Sequence, residues 1–258
     1  MAWESLRFCC IRTSGSNKSC KSMRKQLGFT LVEIAIVLFI VGLLLGGVLK
    51  GQELIRAARV NNIAAQLDEV KVAYLGFLDR YRTYPGDMPT AQAAVQIPGT
   101  GSVGCAAAST CANGRIDPNE NILVWYHLSR AGFISGSYTG ITDAGAAIQT
   151  PTSADSPSNR NGGFLVLVND NDYGDTNAVT KPVLNLKTGG LMPVALIAEL
   201  DRKLDDGQPG TGSFRIGIAY GGVNPAVGAC LTGAANNNPG MLYNASQNIE
   251  ACGGVAIQ

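Results

Sequence analysis

Apolar residues are distributed along the first third of this chain in two unlike ways. From Phe29 to Leu49 they run almost unbroken, with a single charge, Glu33, and no proline. At about 1.5 Å of rise per residue such a run spans roughly 30 Å, the hydrocarbon thickness of one bilayer. Beyond Leu54 the pattern becomes periodic: Ile63, Leu67, Val70, Tyr74, Leu78 and Tyr81 recur at spacings of three or four, with Asp68, Glu69, Lys71 and Arg80 elsewhere. That is the single stripe of an amphipathic helix. The two stretches together predict one helix over 29–82, about 80 Å long, with Pro85-Gly86 as its stop.

The remaining pattern is shorter in period and richer in breakers. Asp117-Pro118-Asn119-Glu120 reads as an N-cap, a proline at the first helical position and an acid at the third, opening a helix through Trp125 and Leu128 that Gly132 closes. Gly163 to Val168 is a short apolar run suited to a buried strand. Pro193 to Leu204 repeats Val194, Ile197, Leu200 and Leu204 as a helix ended by Gly207, and Phe214 to Tyr220 alternates as a strand. Segments 98–114, 135–162 and 221–254 carry turn-forming residues. The expected class is α+β: a long N-terminal helix packed on a small antiparallel sheet, the sheet covering the amphipathic half.

The membrane-length run makes Glu33 the most informative residue. An unpaired carboxylate costs several kcal/mol in hydrocarbon, so a simple anchor has no reason to keep one. Lys18, Lys21, Arg24 and Lys25 lie just before the run, which places residues 1–28 in the cytoplasm and the rest of the chain outside it. A secretory signal would have a shorter apolar core and a small-residue cleavage site.

Lys25-Gln26-Leu27-Gly28 followed by Phe29-Thr30-Leu31-Val32-Glu33 and an apolar helix resembles the precursors of type IV pilins and type II secretion pseudopilins. The resemblance covers about the first fifth of the chain. It implies a pilin-like fold and a structural role without catalysis, as a subunit of a type IV pilus or a secretion pseudopilus. A prepilin peptidase would cut after Gly28 and methylate the new Phe29 amine. Glu33 would pair with the N-terminal amine of a neighbouring subunit during assembly. The implied partners are that peptidase, identical or related pilin subunits and an inner-membrane assembly platform. The implied location is the bacterial inner membrane, single-pass with the C-terminal domain periplasmic, and then the filament. The domains expected are a leader at 1–28, a membrane or filament-core helix at 29–49, its amphipathic continuation at 50–82 and an exported domain at 83–258. A start at Met23 would leave Met-Arg-Lys-Gln-Leu-Gly, a leader of usual length, with residues 1–22 as an extension. Lys50 stands where many members carry a helix-bending proline; Gly42, Gly46, Gly47 and Gly51 loosen the helix there instead. The competing reading is a membrane-anchored periplasmic ligand-binding protein or enzyme, tethered by the same helix.

Charge and cysteine content narrow the partners. Without the six basic residues and one acid of positions 1–28, fourteen basic face eighteen acidic residues, a net of about −4. Nucleic acid is not an expected partner. Cys105, Cys111, Cys230 and Cys252 follow the leader, an even number in a compartment where disulfides persist. Of three connectivities, 105 with 111 and 230 with 252 is expected, because each pair encloses a short Gly/Ala/Asn-rich loop. Zinc held by the four is the alternative, and neither pair has knuckle spacing.

Candidate chemistry is sparse. Asn169 to Asn177 clusters oxygen ligands around Gly174, which suits Ca²⁺ with Asp170, Asp172 and Asp175 as ligands. Lys181 stands where an EF-hand loop needs its bidentate acid, and Asp and Asn favour plain turns as well. Asp201, Asp205 and Asp206 gather at a helix end, where a solvated turn is the simpler account and Lys203 an available counter-charge. Gly99-Thr100-Gly101-Ser102-Val103-Gly104 matches a dinucleotide fingerprint by letter, without the strand before it or the helix after it. His127, the single histidine, is flanked by Trp125, Tyr126 and Leu128 and reads as a packed side chain rather than a base; Ser129, two positions on, does not face it.

Overall fold

The computed structural model describes residues 29–99, 103–105, 111–140, 150–174, 181–218, 227–232, 240–247 and 249–258. The chain divides into two compact units, Met1–Gly51 and Gln52–Gln258.

Helix α1 (Leu31–Tyr81) starts on a capping box that the sequence carries as Thr30-x-x-Glu33. Glu33 N–H donates to Thr30 Oγ1 (3.3 Å), while Glu33 Oε2 accepts from the Thr30 N–H (3.0 Å) and hydroxyl (2.9 Å). The helix ends before the expected stop. Arg82 takes a left-handed φ of 57° and donates its N–H to the Leu78 carbonyl (2.9 Å), so the chain has already turned when it reaches Pro85.

Within the second unit, α1 buries Val60, Ile63, Ala64, Leu67, Val70, Ala73, Tyr74 and Phe77. This stripe leaves the expected one near its end, passing through Phe77 rather than Leu78, because a step of three from Tyr74 keeps the face where a second step of four would drift off it. Phe77 is wholly buried, its ring 4.6 Å from Tyr81 and 6.0 Å from Phe133.

Two short helices follow, α2 (Thr90–Gln96) and α3 (Asn121–Arg130). α3 starts later than its proline predicts: residues 118–120 form a turn in which Glu120 N–H donates to the Asp117 carbonyl (2.9 Å). The Asp117 carboxylate accepts from the Asn113 amide (2.6 Å) instead of capping the helix. At the other end the Phe133 N–H reaches the Leu128 carbonyl (2.9 Å) and the Gly132 N–H the Ser129 carbonyl (3.1 Å), with Gly132 at φ 78°. That is a Schellman closure, and it requires the glycine.

The sheet comprises β1 (Val166–Asp170), β2 (Val183–Lys187), β3 (Phe214–Ile216) and β6 (Gly254–Ile257) in the order β1-β2-β6-β3, every neighbouring pair antiparallel. Helix α4 (Val194–Leu204) lies between β2 and β3 in sequence. Helix α5 (Val227–Cys230) and a small ladder of β4 (Leu231–Thr232) with β5 (Leu242–Tyr243) precede β6. Register separates two sheet faces. Leu167 opposite Leu186 and Phe214 opposite Ala256 share one face. Leu165, Leu167, Leu186, Phe214 and Ile216 join the α1 stripe, Trp125 of α3 and Leu196, Ile197 and Leu200 of α4 in one apolar core. The opposite face carries Val166, Val168, Asp170, Asn185, Lys187 and Val255, all buried.

Polar contacts tie α4 to α1 at the rim. Arg56 meets Glu199 at 3.3 Å, and Lys203 Nζ bonds Asn61 Oδ1. Disulfides join Cys105 to Cys111 and Cys230 to Cys252, with Cα atoms 5.6 and 6.0 Å apart. The second is braced by reciprocal backbone bonds between Met192 and Cys252 (2.9 and 3.0 Å).

Candidate functional site

The first residues of α1 place Glu33 in a defined pose. Its Oε2 is held against the Thr30 backbone and hydroxyl, one residue from the Phe29 nitrogen. Around it the apolar side chains are bare: Phe29 is 82 % exposed, Leu31 89 % and Phe39 72 %. This part of the helix is long and apolar enough to cross a membrane. Gly28 lies outside the described residues. The sequence reading missed Thr30 as the cap, although the Thr-x-x-Glu spacing at the edge of an apolar run was its signal.

The acidic loop after β1 is organised around a lysine the sequence reading did not single out. Lys187 is fully buried, with Nζ 2.5 Å from Asp170 Oδ2 and 3.7 Å from Asp172 Oδ2. Asn185 donates its amide to Asp170 Oδ1 (2.6 Å) and to the Asp170 carbonyl (2.9 Å), and the Asp172 N–H reaches the same Oδ1 (3.2 Å). Burial raises the Asp172 carboxyl above its ordinary range, and the Lys187 charge partly offsets this. Of the three residues expected to hold calcium, Asp170 and Asp172 both lie near the Lys187 ammonium. Asp175 lies outside the described residues. Lys181 presents its carbonyl to the Tyr173 hydroxyl (2.8 Å), and Arg215 lies over the Tyr173 ring at 5.4 Å. The signal for Lys187 was faint: polar Asn185 and Lys187 alternate with Leu184 and Leu186, as an outward face would.

The second acidic group at 201–206 is consumed by its own turn. Asp201 accepts from the Tyr243 hydroxyl (2.7 Å) and the Gly207 N–H (3.2 Å), and burial pushes its carboxyl up to about 7. Asp205 accepts from the Ser213 and Phe214 N–H groups, and Asp206 from the Gln208 N–H (2.8 Å) and the Thr211 hydroxyl (2.5 Å). Lys203 is engaged with Asn61 and not with these acids.

Between α3 and the Cys105–Cys111 disulfide lies a buried pair of acids. Asp87 accepts the N–H groups of Asn113 (3.1 Å) and Gly114 (2.8 Å). Glu120 is 1 % exposed; its Oε2 accepts the Asp117 N–H (2.9 Å), and its Oε1 has no hydrogen-bond partner among the described residues. Burial, assisted by the charges of Asp87 and Asp117, pushes Glu120 up to about 8, so it is a neutral acid at pH 7. Its carboxylate lies within 4.8 Å of both cysteine sulfurs, which the disulfide commits to each other. His127 is neutral for the same reason, its imidazole lowered to about 4 by burial. Its Nδ1 accepts the Gly86 N–H (3.0 Å), and Ser129 Oγ donates to the Tyr126 carbonyl (3.0 Å) rather than toward the imidazole. Histidine and serine do not form a nucleophile–base pair.

Residues 23–49 match the family described as the prokaryotic N-terminal methylation motif, a prepilin-type signature that covers the end of the leader, Gly28, Phe29, Glu33 and the apolar helix. Neither a curated protein nor a solved structure matches the chain.

Proposed function

We propose that this chain, which carries a type IV pilin/pseudopilin-type prepilin motif, is a structural subunit of a type IV pilus-like or type II secretion pseudopilus filament. The observation that carries this reading is the conjunction of the motif at 23–49 with an apolar helix whose side chains are exposed among the described residues. Prepilin peptidase cuts after Gly28 and the Phe29 amine is methylated. The precursor sits in the bacterial inner membrane with residues 1–28 cytoplasmic and the C-terminal domain periplasmic, as the basic flank favours. An oxidising compartment also suits the two disulfides.

Assembly is then an exchange of one apolar environment for another. The Phe29–Leu49 segments leave lipid and pack on sister helices, through an inner-membrane assembly platform, so little hydrophobic energy distinguishes the two states. Register comes from charge. Thr30 fixes one oxygen of Glu33, and the other meets the N-terminal amine of a neighbouring subunit. Retained Glu33 argues against tip subunits that lack this acid, but not against other minor subunits. A buried pair broken by removing one partner costs about 3–5 kcal/mol. Glu33→Ala is therefore expected to leave membrane insertion intact and to reduce the subunit in sheared filament fractions by tenfold or more; equal recovery of mutant and wild type contradicts the role of Glu33.

A further inference from the structure

Lys187, opposite Val166, and Asp170, opposite Val183, stand at the two ends of the β1–β2 ladder on one face, and the lysine side chain runs along that face to the carboxylate, an arrangement more specific than an ion pair requires. The two oxygens of Asp170 have different surroundings. Oδ1 accepts from the buried Asn185 amide (2.6 Å) and the Asp172 N–H (3.2 Å), while Oδ2 meets the Lys187 ammonium (2.5 Å). The second carboxylate, Asp172, stands 3.7 Å from the same nitrogen. Lys187 is 0 % exposed and Asp170 8 %, with Val166 and Val168 of β1 wholly buried on the same sheet face. A carbonyl carbon with one oxygen in a two-donor cradle, the other toward an amine, and a proton relay beside that amine is the layout of an acyl-transfer site.

We propose that Lys187 and Asp170 condense to an intramolecular isopeptide bond that ties β2 to β1. Proton transfer from the ammonium, directly or through Asp172, turns the ion pair into an amine and a carboxylic acid. The Nζ lone pair adds to Cγ, and the developing charge on Oδ1 is held by the Asn185 amide and the Asp172 N–H. The Cγ–Oδ2 bond then breaks, and that oxygen leaves as water carrying the protons that Nζ gave up. Ammonium and carboxylate become amide and water, with no oxidant, reductant or activated donor. The fixed geometry supplies the effective concentration that such a condensation lacks in solution. Asn185 and Asp172 are positioning residues here, and the product replaces a buried charge pair with a neutral, hydrogen-bonded amide.

The test is peptide mass spectrometry on the full chain purified from membranes, reduced and alkylated before digestion. Trypsin cuts after Arg160, spares Lys181 before Pro182, and releases 161–187 only if Lys187 is free. The expected product is 161–202 lighter by one water, and chymotryptic cleavage after Tyr173 leaves its two parts joined through Lys187 and Asp170. Asp172→Asn is expected to lower the cross-linked fraction severalfold in folded protein, and Lys187→Arg to abolish it. Release of 161–187 at its unmodified mass from wild type overturns the proposal even if the variants fail to fold. Loss of water with normal cleavage after Lys187 also overturns it, since that marks an aspartyl succinimide.

Discussion

Replacing Glu120 by Gln is expected to stabilise the C-terminal unit at neutral and alkaline pH and to do almost nothing at pH 5. The side chain is 1 % exposed, and burial lifts its carboxyl from the ordinary 4.5 to about 8. The folded state thus keeps a proton that the unfolded chain releases above about 4.5. The native state binds more protons throughout that window, so Glu120 makes wild type lose stability as pH rises from about 4.5 to about 8. At about 1.4 kcal/mol per pH unit the full shift approaches 5 kcal/mol, and local relaxation reduces this to about 3 kcal/mol. Gln is isosteric with the neutral acid. Its carbonyl can keep the Asp117 N–H, and its amide occupies the place of Oε1, which has no partner among the described residues. His127 works in the opposite direction: its imidazole falls to about 4, so its contribution is present above the unfolded value of 6.5 and is lost as pH falls toward 4. Asp201, raised to about 7, adds to the alkaline loss. The difference between variant and wild type removes both. Urea unfolding of residues 52–258 at half-unit steps from pH 5 to 8 is expected to give curves that coincide at the acid end and diverge by about 3 kcal/mol at the alkaline end. Parallel curves, or a variant less stable at pH 8, would refute the buried neutral acid.

Two further outcomes follow from the packing. Phe77→Ala empties the wholly buried C-terminal end of the α1 stripe and should cost about 3–5 kcal/mol, read as a lower urea midpoint at unchanged slope; a loss under 1 kcal/mol would show that this ring is not a core residue. Millimolar Ca²⁺ is expected to leave the melting midpoint of the wild-type domain unchanged, because the Lys187 nitrogen, as ammonium or as amide, occupies the space beside Asp170 and Asp172; a rise of several degrees would restore the cation site that the acidic loop advertises.

Elements with strong local signals were readable in advance. The unbroken apolar run and the three-four stripe both belong to α1, and Val194, Ile197 and Leu200 mark α4 at their predicted spacing. What stayed hidden was polar on a buried face. β2 pairs on both edges and supplies the sheet's centre, yet Asn185 and Lys187 make it look half-solvated. β6 has four residues behind a Gly-rich stretch, too short for alternation to register. The same cause concealed the chemistry. Asp170 and Asp172 looked like free ligands because their counter-charge lies seventeen and fifteen positions away, close to them only once β1 and β2 pair. Glu120 does make the contact of a capping acid, its Oε2 accepting the Asp117 N–H, but its other oxygen is buried, which no spacing rule encodes.

Filament assembly turns on the chemistry of one nitrogen atom, the Phe29 amine. Peptide mass spectrometry of the mature N-terminus, from membranes and from sheared surface fractions, measures it directly. A chain that begins at Phe29 with a methylated amine, present in both fractions, is the predicted result. A chain that retains residues before Phe29, or is cut elsewhere and confined to membranes, would make α1 a tether and contradict a filament subunit.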